Sequence, residues 1–227
     1  MKIRIVTALT LIFAMVPLVT AVTLDIKWQG GSGTWSTTGN WDTNSLPGGT
    51  NSTQIDPLNS FNVTVNVDTA AVTSNLTIGT NDTVGISNAR SLTLDAQSGS
   101  ATLVLNSSSA LQLNSGGNTT NLIIKDGTVT ASGSGKIALS NNAQNRILGT
   151  NSSDVLINQS TIEGAGQIGA NNMVLDNQGT LSALYSTALI VDPSASAESK
   201  NSGVLQAASG GLLQLINGTI DNNGGTI

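Results

Sequence analysis

The chain has no cysteine and no histidine. Without cysteine there is no disulfide scaffold, no thiol nucleophile and no thiolate metal site. Without histidine the commonest general base and the commonest transition-metal ligand are missing. Aromatic residues make up 3% of the chain and charged residues 9%, where an ordinary soluble domain carries about 25% charged residues. The few charges are mostly negative, giving a net charge of −5 and a pI near 4.3. That balance excludes the basic surface nucleic acid requires and offers no attraction to an anionic membrane. Low charge does not imply disorder here, because 38% of residues are apolar and a chain this rich in them has surface to bury.

What fills the composition is Asn, Ser, Thr and Gly between short clusters of Leu, Ile and Val. One phrase recurs near the C-terminus: Asn177-Gln-Gly179-Thr-Leu181, then Asn201-Ser-Gly203-Val-Leu205, then Asn223-Gly-Gly225-Thr-Ile227. The offsets fall within the 20–50-residue periods of stacked-repeat proteins. No polar capping segment follows Ile227, so the chain is expected to be the front part of a longer solenoid. Upstream, Phe61, Val63, Val65 and Val67 alternate with polar residues, as a half-buried strand requires. Apolar-x-apolar triplets follow, among them Leu76–Ile78, Leu92–Leu94, Leu111–Leu113, Val155–Ile157 and Leu189–Val191. Turn-forming Asn, Ser, Gly and Asp lie between them. No sustained 3.6-residue stripe exists, and Pro193 breaks the one helical candidate at Leu181–Lys200.

These features predict an all-β parallel β-helix with coils over 61–227, inward Leu, Ile and Val in continuous stacks, and Asn amides laddering at the turns. A membrane barrel needs strands of about 9–11 residues and aromatic girdles, and the short rungs and scarce aromatics provide neither. Residues 1–21 read as a signal peptide: Lys2 and Arg4, an apolar run from Ile5 to Val19, and cleavage after Ala21. Removal of Lys2 and Arg4 takes the charge from −5 to −7. The apolar run is shorter than a spanning helix, and no membrane span is expected in the mature region. The protein is expected to be exported, and a cysteine-free secreted chain of this size points to a bacterial source. Nine Asn-x-Ser/Thr sequons occur, and chance accounts for them in a chain this rich in those residues.

The motifs that carry chemistry dissolve on inspection. Gly164-Ala-Gly166-Gln-Ile-Gly169 matches the dinucleotide pattern, but no helix opens after it to hold a pyrophosphate. It reads as a tight corner. Asp154 with Glu163, or Asp192 with Glu198, would supply the two carboxylates of a glycosidase, yet each fits a solvated turn. The cations Lys125, Lys136, Arg146 and Lys200 form no cluster. No catalytic residue, cofactor or metal centre is expected. Segment 22–60 holds Trp28, Trp35 and Trp41, which either stack on sugars from an exposed face or plug the apolar end of the first coil.

The opening Trp28-x-Gly30-Gly31-x-Gly33-x-Trp35, with Asn40-Trp41-Asp42, Leu46-Pro47 and Ile55-Asp56, resembles that of large repetitive bacterial surface proteins. It is similar to autotransporter passengers with their β-strand repeats, and to envelope proteins ending in a PEP-CTERM-type sorting signal. Ile162–Gly169 and the Asn-x-Gly-x-Leu phrases resemble the same class. The resemblance implies a right-handed parallel β-helix displayed outside the cell, with glycans or surface proteins as partners, and it carries over no catalytic residues. The expected role is a structural and adhesive surface protein. The alternative is the N-terminal part of a carbohydrate-active β-helix, a polysaccharide lyase or hydrolase whose active site lies downstream.

Overall fold

A computed structural model of the chain describes residues 25–55, 62–208 and 210–227. The expected signal peptide lies outside the described residues, as do Asp56 and Phe61. Within them the chain is all-β, with a single 3-10 turn at Thr38–Asn40. Strands pair in parallel with the segment one coil further along, never as hairpins. The antiparallel exception is an isolated bridge between Trp28 and Trp41. This is the β-solenoid that the repeat period predicts.

Each coil visits three faces in turn. The first contains Asp25–Lys27, Ser52–Ile55, Asn75–Ile78, residues 100–105, residues 127–132, Val155–Asn158, Val174–Asn177, Ser199–Asn201 and Ile220–Asp221. The second is an eight-stranded sheet running from Gly33–Thr34 through Thr83–Ile86, Ala110–Leu113, Lys136–Leu139 and Thr161–Gly164 to Val204–Ala207. The third runs from Ala70–Thr73 through residues 91–95 and 120–125, Asn145–Gly149, Gly166–Gly169 and Leu189–Val191 to Leu213–Leu215. The sheets therefore reach back through the 22–60 segment to Asp25, well before the alternation at Val63.

Alternation places every second side chain inward, and parallel register then puts like on like. On the second face Val65, Val84, Leu111, Ile137, Ile162, Leu181 and Leu205 form one column, each no more than 1% exposed. On the third face Leu92, Leu122, Ile147, Ile168 and Val191 stack the same way and are fully buried. Burying one such side chain contributes about 1.5–3 kcal/mol, so the columns supply the main drive for coil stacking. Strands packed on both neighbours at a spacing of about 4.8 Å also satisfy each other's backbone groups.

Two departures from the sequence reading have physical causes. Ser91–Leu105 and Thr120–Ser132 are single strands of 15 and 13 residues that turn the corner between the third and first faces without a break. Their pairing survives the corner through a register shift between Lys125 and Gly127. The second departure is one of phase. In Val155–Asn158 the buried residues are Leu156 and Asn158, with Val155 and Ile157 half-buried. The sequence reading put Val155 and Ile157 inside, and the amide of Asn158 reverses that choice.

The inward column on the first face explains why. It runs as Ile26, Thr53, Leu76, Leu103 and Ala131 and continues as Asn158, Asn177 and Asn201. Asn158 Nδ2 donates to Asn177 Oδ1 at 2.8 Å, Asn177 Nδ2 to Asn201 Oδ1 at 2.7 Å, and Asn201 Nδ2 to Asn222 Oδ1 at 2.6 Å. Asn177 Nδ2 and Asn201 Nδ2 each also donate to a carbonyl of the next coil, Val204 O and Thr226 O. This is the expected Asn ladder, running inside the stack. Its last member is Asn222 rather than the phrase residue Asn223, because one extra residue precedes Gly225 in that coil. Its first member, Asn158, opens a degenerate version of the phrase, Asn158-Gln-Ser160-Thr-Ile162.

Candidate functional site

The tryptophans come first in the chain, and the structure puts all three inside. Trp28, Trp35 and Trp41 are each 1% exposed. Trp41 meets Trp28 edge-on with ring centroids 4.9 Å apart and Trp35 at 4.8 Å, the geometry preferred by aromatic quadrupoles. Trp28 Nε1 donates to Gly31 O and Trp41 Nε1 to Trp35 O, so neither N–H is left unpaired. The glycines are tied to Asn40: a methyl group at Gly30 would stand 2.7 Å from Asn40 Oδ1, and one at Gly33 2.9 Å from Asn40 Nδ2. Asp42 Oδ1 accepts from Lys27 N. The whole Trp/Gly/Asn/Asp pattern is thus used up in packing the first coil. A sugar-stacking platform needs a ring face in solvent, and these rings present none.

The carboxylates already have partners of other kinds. Asp154 is 2% exposed and accepts from Gly127 N, Thr150 N, Thr150 Oγ1 and Asn151 N. It knots a corner between coils. Asp192 accepts from Gln167 Nε2 and Asn217 Nδ2, while Glu198 sits on the exposed 195–198 turn. At Gly164, Gly166 and Gly169 φ is positive, and a methyl on Gly166 would collide with the carbonyl oxygen of Asn145 one coil away. The glycine pattern makes the tight corner the sequence implies. Among the described residues, no group of three or more His, Cys, Asp or Glu is placed to hold a metal ion, and no helix is long and apolar enough to cross a membrane.

Among the described residues, two ion pairs bridge successive coils. Lys125 Nζ lies 2.7 Å from Asp95 Oδ2 and also reaches Asp126. Burial pushes the Asp95 carboxyl up, but the Lys125 ammonium and the Gln97 amide outweigh it, and the pKa lies below the usual value. The same contact raises Lys125. On the second face Lys136 Nζ lies 2.6 Å from Glu163 Oε1. Sequence reading names Lys136 as a scattered cation and Glu163 as half of a carboxylate pair. The register partners are Lys136 with Thr161 and Ala138 with Glu163, so Lys136 reaches Glu163 diagonally on the adjacent coil at a separation of 27 residues, and opposite charges at about that spacing are the signal that joins them.

This second pair stands at the mouth of a cleft of about 250 Å³ lined by Ser108, Ser109, Ser134, Gly135, Lys136, Thr161 and Glu163. The cleft lies where the first face turns into the second. Gly135 lets two coils approach closely here, since a methyl there would stand 2.6 Å from Ser109 Oγ and 2.7 Å from the carbonyl oxygens of Asn106 and Ser109. Ser109 is 1% exposed, and its hydroxyl has no hydrogen-bond partner among the described residues. With these positions established, comparison with known proteins finds no family model, no curated protein and no solved structure that matches the chain.

Proposed function

We propose that this chain is an exported structural and adhesive β-solenoid displayed on the outer surface of a bacterium. The observation that carries the reading is the contrast between inside and outside. Aliphatic columns run along the axis, and a buried Asn ladder from Asn158 to Asn222 takes over one of them in the later coils. The side walls present Asn62, Thr64, Asn66, Thr102, Gln178 and Gln206 to solvent. A stack held by repeated backbone and side-chain pairing makes a rigid spacer, and a small-polar wall offers many weak hydrogen bonds to glycans or partner proteins. The Trp-filled first coil closes the N-terminal end, residues 1–21 direct export, and the chain carries no catalytic centre of its own.

Expression of the full chain in a bacterium with two membranes tests this reading. Recovery outside the cytoplasm with Val22 as the new N-terminus is the expected result. Retention in the cytoplasm with Met1 intact would remove the basis for surface display.

A further inference from the structure

An asparagine amide is open to attack by its own chain. The backbone nitrogen of the next residue can close on Cγ, and glycine permits this best because it has no side chain to obstruct the ring. Two asparagines precede glycine, Asn217 before Gly218 and Asn223 before Gly224. Both lie on exposed turns, so neither the dipeptide nor its exposure separates them. Their surroundings do. Asn217 Nδ2 donates to Asp192 Oδ1 at 2.8 Å, and Asp192 is 4% exposed. Gly218 is wedged against the previous coil, where a methyl group would stand 2.8 Å from Pro193 O and 2.9 Å from Pro193 Cγ. To react, Asn217 must give up a hydrogen bond to a buried carboxylate, and its glycine must move off Pro193.

Asn223 carries neither restraint. Among the described residues its side-chain amide and the Gly224 N–H have no hydrogen-bond partner, and a methyl at Gly224 would meet nothing within 4 Å. The turn is held by Asn223 N donating to Asp221 Oδ1 at 3.0 Å and Gly225 N donating to Asn222 O at 3.2 Å. Those bonds leave the reacting atoms free. The ladder amides are the opposite case: Asn158, Asn177 and Asn201 are buried, bonded from coil to coil, and followed by Gln159, Gln178 and Ser202 rather than glycine.

We infer that Asn223 is a self-modification site, deamidating in the folded chain to aspartate and isoaspartate, while Asn217 reacts far more slowly and the buried ladder keeps its amides. Gly224 N, after losing its proton to hydroxide, bonds to Asn223 Cγ. The Cγ–Nδ2 bond breaks, and the nitrogen leaves as ammonia with a proton taken from water, closing a five-membered succinimide. Water then opens either ring carbonyl, so one water is consumed and one ammonia released. The isoaspartyl product adds one backbone carbon between Asn222 and Gly225, beside the pairing of Thr226 N with Gly203 O and of Leu205 N with Thr226 O. That extra length loosens the cover over Leu205.

Incubation of the purified full chain at neutral and mildly alkaline pH, followed by peptide mass spectrometry and isoaspartate detection, tests the site. Asn223 should convert first, faster at the higher pH and with one ammonia released for each residue converted. Asn217 should lag by at least about tenfold, the factor set by breaking a hydrogen bond to a charged group. In urea, where the fold is lost, the two Asn-Gly sites should converge in rate. Asn223→Gln should remove the fast phase of ammonia release from the folded chain. Amide hydrogen exchange at Leu205 should quicken in the isoaspartyl form. The inference is overturned if Asn217 keeps pace with Asn223 in the folded chain, if a ladder asparagine reacts first, or if Asn223 reacts in urea but not in the fold. Unchanged exchange at Leu205 would overturn the effect on the coil.

Discussion

At the residue scale, the buried asparagines set the inward phase of the first face. Asn177 donates to and accepts from its neighbours in the column and also reaches Gly179 O and Val204 O. Asn177→Ala removes the acceptor for Asn158 and the donor for Asn201, and each orphaned buried group costs about 1–3 kcal/mol. Chemical denaturation should therefore show a loss several times that of an exposed change such as Gln178→Ala, for which about 0.5 kcal/mol or less is expected. Asp95 gives the pH dependence. Its folded pKa is depressed, so its contribution is present above the unfolded value of about 3.9 and fades as pH falls through the folded value. The stability difference between the native chain and Asp95→Asn should be constant from neutral pH to about pH 5 and shrink towards zero below about pH 4. Lys125 is substantially exposed, and solvent screening keeps the difference modest. The ladder itself is legible in the sequence from the recurring Asn-x-Gly-x-Leu, but two of its members are not. Asn158 is hidden because Ser160 replaces the glycine, and Asn222 because an inserted residue shifts the match to Asn223. An amide bonding to the coil above follows three-dimensional register, and an insertion in a turn leaves no mark on a fixed-spacing pattern.

At the element scale, position within a column decides what a substitution costs. Leu111 has a neighbour above and below, Val84 and Ile137, and is fully buried. Leu111→Ala should cost about 2–5 kcal/mol. Leu215 extends the third-face column above Val191 but is 41% exposed, and Leu215→Ala should cost well under 1 kcal/mol by the same denaturation measurement. Corners follow a steric rule. Gly166→Ala forces an L-residue into φ +139° and against the Asn145 carbonyl, whereas Gly39→Ala meets nothing within 4 Å. The first should lower the thermal midpoint by several degrees and the second should leave it unchanged. Most strands are legible because inward Leu, Ile and Val at every second position is a local signal. The exception at Val155–Asn158 shows the limit. Three apolar residues in a row fit either phase, and the choice falls to a buried amide whose partner lies 19 residues away. The Trp/Gly segment is legible as a distinct unit and its burial as one of two readings, while the contacts that bury it are not. Three indoles in contact can satisfy one another's edges only once glycines and Asn40 bring the chain back on itself.

At the scale of the whole molecule, one coil is the unit that organises every other feature. Ladder, columns and the Lys125–Asp95 pair are contacts between a residue and its register counterpart one coil away, and the corner glycines and the Lys136–Glu163 pair join neighbouring coils as well. The cleft is legible only in those terms, since its lining residues come from three consecutive coils of the second face and the corners before it. The central claim is therefore the coil register, and a chain without cysteine allows it to be tested with introduced pairs. Gln112 and Ala138 are register partners on adjacent coils, and Ala138 is in turn the partner of Glu163. Adjacent coils bring Cα atoms to about 5 Å and alternate coils to about 10 Å, and a disulfide spans no more than about 7 Å. Mild oxidation should cross-link the double variant Gln112→Cys with Ala138→Cys within the monomer and leave Gln112→Cys with Glu163→Cys reduced. A cross-link in the second variant with none in the first, in a folded chain, would contradict the solenoid register.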